Sequence, residues 1–120
     1  MKIPITTNAE KFYKQIVKLL SEFAPLDKLF PRERQLLALI LYQNYLLRDI
    51  PEDKRNILLF SKDMRRTMRD KLGVSEDYFN TNLYKLKKNG IITKDNKIPK
   101  FFSRILPKDK FEFSIIFNIE

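Results

Sequence analysis

The sequence predicts a mostly α fold with a small β component, packed as one domain. Three observations lead there. Apolar residues recur at helical spacing within 12–23, and 36–47 is apolar nearly all round. Residues 61–89 read as helix, tight turn, helix. A C-terminal stretch, 111–119, alternates apolar and polar residues as a half-buried strand does. A chain of 120 residues has room for one core.

From the N-terminus, Ile3 and Ile5 alternate with polar neighbours and predict a short strand. Asn8 suits a helix N-cap, because its side chain can accept from a backbone N–H of the first turn. The helix behind it carries Phe12, Ile16, Leu19, Leu20 and Phe23 on one stripe and stops before Pro25. Pro31 suits the first turn of the next helix, and Glu33 sits near its positive end. Leu36, Leu37, Leu39, Ile40, Leu41, Tyr42, Tyr45 and Leu46 make that helix apolar nearly all round, as expected of a central core helix. A loop through Pro51 leads to the apolar run Ile57, Leu58, Leu59, Phe60, expected as a brief strand.

Ser61 then caps a basic helix, with Met64, Met68 and Leu72 inward and Arg65, Arg66, Arg69 and Lys71 elsewhere. Gly73 supplies the left-handed residue that ends helices. Ser75 caps a second helix whose inward stripe is Phe79, Leu83 and Leu86. Gly90 closes it. Asp95 and Asn96 form a two-residue turn between 91–94 and 97–98, a short basic hairpin. In the last segment Phe111, Phe113, Ile115, Phe117 and Ile119 share one face of a strand.

The composition narrows the chemistry. The formal net charge is +9, which favours polyanionic partners. The charge is uneven: residues 1–60 hold ten basic and seven acidic side chains, residues 61–120 fourteen and eight. Within 85–110, nine basic residues face only Asp95 and Asp109. With no Cys and no His, disulfides, thiolates, zinc fingers and imidazole catalysis are excluded. The adjacent pairs Glu52-Asp53 and Glu76-Asp77 diverge on a helix instead of converging. Two glycines make no phosphate-cradling loop. No enzyme activity, cofactor, metal or small-molecule substrate is expected. The N-terminus lacks the apolar stretch of a signal peptide. The longest uncharged stretch, 35–47, is too short to span a bilayer. A cytoplasmic protein with no membrane partner is expected.

A basic first helix, the turn Leu72-Gly73-Val74-Ser75, and the run 86–92 (Leu-Lys-Lys-Asn-Gly-Ile-Ile) leading into a hairpin occur together. In this the chain resembles the winged helix-turn-helix family over about residues 31–98, in the style of compact bacterial and phage regulators. The resemblance implies a winged-helix core at 31–98. An N-terminal strand and helix (1–30) and a basic loop with the C-terminal strand (99–120) would extend it. It also implies duplex DNA binding through 61–89 and a wing at 91–98, in transcription regulation or as a replication or packaging accessory. On that pattern Asn80, Thr81, Tyr84 and Lys85 would meet base edges. Arg65, Arg66, Arg69, Lys87, Lys88, Lys94 and Lys97 would meet the sugar-phosphate backbone.

One departure stands out. Glu76 and Asp77 place two carboxylates at the helix end that such proteins turn toward the groove. They serve as first-turn dipole partners, and they favour backbone contact over base readout. Two other readings compete: a winged-helix protein-interaction module, and a single-stranded or RNA binder using Tyr84, Phe101 and Phe102 among lysines. The first helix and the terminal strand, outside the motif, are the natural elements of a homodimer, unless they pack on each other within one chain.

Overall fold

The central element is a helix clad on several sides by the others. The structure, a computed structural model, describes residues 5–108, 111, 112, 114 and 116–120. Its helices are α1 (Ala9–Leu20), α2 (Pro31–Leu46), α3 (Glu52–Leu59), α4 (Lys62–Leu72), α5 (Glu76–Lys88) and the one-turn α6 (Lys100–Ser103), with a 3-10 turn at Leu26–Lys28. α2 packs against α1, α3, α4 and α5. Its Leu36, Leu37, Ile40 and Leu41 are excluded from solvent, together with Tyr13, Leu59, Met68, Phe79 and Leu86 from the surrounding helices. The near-continuous apolar character of α2 follows from being covered on all these sides.

Local chemistry sets the helix ends. Asn8 Oδ1 accepts from the Lys11 N–H at 2.9 Å, and Ser61 and Ser75 cap α4 and α5 through Met64 N–H and Tyr78 N–H. Both motif helices close with a Schellman arrangement. Gly73 (φ 65°) follows α4, and the Val74 N–H donates to the Arg69 carbonyl. Gly90 (φ 72°) follows α5, and the Ile91 N–H donates to the Leu86 carbonyl. A positive φ at both positions is what calls for glycine.

The expected fold class is corrected: among the described residues there is no strand, and the architecture is all-helical rather than a winged helix with a C-terminal strand. The run 57–60 lies instead at the end of α3 and beyond it. Only its Leu59 is buried, while Ile57 is 73% exposed. Pro51 precedes this helix, and Glu52 and Asp53 stand in its first turn. Without a neighbouring strand, a helix is the conformation that satisfies its own backbone.

The expected wing is a loop. The N–H groups of Ile91 and Ile92 are spent on the Leu86 carbonyl, where a hairpin would use them across the pair. Ile91, Ile92 and Ile98 are all buried in the core, so no in–out alternation develops. What survives is the turn at 93–97. The Thr93 N–H donates to the Lys97 carbonyl at 3.1 Å, the Lys97 N–H donates to Thr93 Oγ1 at 2.8 Å, and Asn96 has φ 61°.

Nor is the terminal strand present among the described residues. Phe111, Glu112, Ser114 and 116–120 form no strand, while Phe113 and Ile115 lie outside the described residues. The Phe111 ring meets Phe12 of α1 edge-on at 5.1 Å, but Phe117 and Ile119 are 80% and 94% exposed. Of the expected N-terminal strand, Ile3 lies outside the described residues, and Ile5 is exposed and belongs to no strand. α1 ends at Leu20, short of Phe23, where the Ser21 hydroxyl donates to the Lys18 carbonyl.

Candidate nucleic-acid interface

α4 and α5 meet at the turn 73–75 and enclose a shallow depression of about 100 Å³. Lys62, Arg65, Arg66 and Arg69 line it from α4; Glu76, Phe79 and Asn80 line it from α5. The four cations occupy positions i, i+3, i+4 and i+7, one face of a helix. Met68, 0% exposed, anchors α4 in the core, and Phe79 does the same for α5. Lys62 and Arg66 are exposed, and Arg65 and Arg69 are partly buried.

Electrostatics in the depression are one-sided. Arg69 Nη1 lies 3.5 Å from Glu76 Oε2, a pair in which Arg69 is 21% exposed and Glu76 70%. The Nε atoms of Arg65 and Arg69 are buried and meet no hydrogen-bond acceptor. Four cations thus face one carboxylate, and two guanidinium donors remain unsatisfied.

The structure brings Arg65, Arg66, Arg69 and Asn80 together in this depression. The other expected contact residues lie elsewhere. Thr81 is exposed, with its hydroxyl donating to the Asp77 carbonyl at 2.9 Å; this leaves the methyl and the oxygen lone pairs. Tyr84 is exposed. Lys85 turns toward α2: its ammonium lies 3.9 Å from a buried Glu33 carboxylate oxygen and 5.5 Å from the Phe30 ring centroid. Lys88 and Lys94 are exposed, and Lys87 is half-buried. Lys97 pairs with Asp95 at 3.3 Å. In the same turn the Thr93 hydroxyl donates to Asp95 at 2.6 Å, and that bond is the main cause holding the Asp95 carboxyl below its usual value. None of these lysines lines the depression.

Three features escaped the sequence reading. Lys62 belongs to the cationic face, and its spacing from Arg65, Arg66 and Arg69 is a signal that could have found it. Glu76 is the depression's own counter-ion, visible beforehand only as a helix-start carboxylate. The Glu33–Lys85 pair joins distant parts of the chain and has no local signal. The expected basic loop after residue 99 begins instead with the one-turn α6, where Phe102 is buried while Phe101 is exposed.

No group of three or more potential metal ligands occurs among the described residues. No helix among them is long and apolar enough to cross a membrane. Compared with protein-family models, curated proteins and solved structures, the chain matches none.

Proposed function

We propose that this protein binds duplex DNA through α4 and α5, as a regulator of transcription or an accessory in replication or packaging. The observation that carries this reading is the single cationic face of α4: Lys62, Arg65, Arg66 and Arg69 beside Asn80, with two guanidinium donors lacking acceptors. Phosphate oxygens are the acceptors that such donors match best. Thr81 and Tyr84, exposed on α5, are the side chains proposed to reach base edges. Lys87 and Lys88 in the last turn of α5 and Lys94 and Lys97 in the turn after it are the side chains proposed to hold the flanking backbone. A homodimer would double a short contacted site, and the exposed apolar residues Ile116, Phe117 and Ile119 are the part of the surface that a second copy would cover.

The test is a binding titration with random duplex DNA, single-stranded DNA and RNA of equal length. Preference for duplex is expected. Preference for single strands would transfer the role to stacking on the exposed rings of Tyr84 and Phe101.

A further inference from the structure

We propose that the depression between α4 and α5 is a socket for one phosphate group and that Glu76 is its built-in competitor. This rests on the reading above, in which the phosphate belongs to a nucleic-acid backbone.

Size comes first. A space of about 100 Å³ is well short of the roughly 300 Å³ at which pockets for small organic ligands begin. It suits a compact anion. Donor chemistry comes second. Lys62, Arg65, Arg66, Arg69 and Asn80 line the depression and all carry hydrogen-bond donors, and the Nε–H groups of Arg65 and Arg69 are buried without an acceptor. A tetrahedral phosphate presents several oxygens and can engage donors from both arginines at once.

Glu76 supplies the third observation. Its carboxylate lines the same space and reaches Arg69 at 3.5 Å. A carboxylate and a phosphate there repel one another and compete for one guanidinium. Glu76 is mostly exposed and stands in the first turn of α5, so its side chain is free to swing into solvent. The Arg69–Glu76 pair holds the arginine in position while the socket is empty and must open when phosphate enters. Binding is thereby weakened, and non-specific capture of phosphates with it.

Asp77 provides a matched control. It occupies the same helix turn and carries the same charge, but it does not line the depression. Removing either carboxylate costs the helix the same dipole interaction and changes the net charge equally. Only loss of the Glu76 carboxylate frees Arg69.

The experiment titrates inorganic phosphate, at constant ionic strength, into the wild-type chain, Glu76→Gln and Asp77→Asn. The Nε–Hε resonances of Arg65 and Arg69 are followed by NMR, and duplex DNA affinity is measured in parallel. Saturable shifts of both arginines are expected. Glu76→Gln should bind phosphate and duplex about threefold or more tighter than Asp77→Asn, the scale of one exposed ion pair. Saturable phosphate shifts without duplex binding would support the socket and overturn the DNA reading. Duplex binding with equal effects of the two variants would overturn the socket and leave the DNA reading in place. Absence of saturable shifts at Arg65 and Arg69 overturns the socket in either case.

Discussion

The carboxylate of Glu33, 3% exposed in the first turn of α2, lies 3.9 Å from the ammonium of Lys85 on α5. The pair ties the second motif helix to the core helix. It also gives Lys85 a counter-ion within the protein. A buried carboxylate that loses its partner keeps its desolvation cost. Lys85→Ala is expected to lower unfolding stability by about 1–3 kcal/mol, measured by urea denaturation, while changing duplex affinity no more than any other single lysine. A stable Lys85→Ala protein with lost sequence preference would restore Lys85 to the groove.

Neighbours on α5 should separate cleanly. Phe79 is buried in the core, so Phe79→Ala should cost about 3–5 kcal/mol of stability. Asn80 sits at the depression, and Asn80→Ala should weaken binding to all duplexes alike. Thr81→Ala should instead shift preference between sequences, by about 1–3 kcal/mol for a lost base contact. Competition assays across a duplex panel distinguish these. Equal behaviour of Asn80→Ala and Thr81→Ala on every duplex would remove Thr81 from base readout.

Tyr13 ties α1 to the segment after α6: its hydroxyl donates to the Ile105 carbonyl at 3.0 Å. Burial pushes the Tyr13 phenol well above its usual value, Tyr45 adds to that, and Arg48 partly offsets it. The folded state therefore resists ionisation more than the unfolded chain. The stability tied to this proton is fully present below about pH 10, the ordinary tyrosine value, and is lost progressively as pH rises beyond it. Tyr13→Phe should cost about 1 kcal/mol at neutral pH and flatten the decline above pH 10. Thermal melts from pH 8 to 11 check this, and parallel declines in both proteins would refute it.

The helices α1, α2, α4 and α5 were legible because their signals are local; α3 and the one-turn α6 were not expected. Asn8, Ser61 and Ser75 cap what they were expected to cap, Pro31 opens α2, and Gly73 and Gly90 close α4 and α5. The strands were not, because a strand is a property of a pair. The alternation of 111–119 and the β-type residues at 57–60 state a preference, but no strand forms among the described residues, and 57–59 found helical satisfaction instead. The loop at 91–98 was misread for a related reason: the end of α5 claims the N–H groups that a wing would need. At the candidate interface, the arginines of α4 were visible from their spacing. Their convergence with Glu76 and Asn80 depends on how α5 returns against α4, which local sequence does not encode.

The salt dependence of duplex binding tests the central claim most directly. If about five phosphates are neutralised, log K against log salt should fall with a slope of about −4 to −5, and Arg66→Ala should flatten it by about one unit. A slope near zero, unchanged in Arg66→Ala, would contradict nucleic-acid binding at this face.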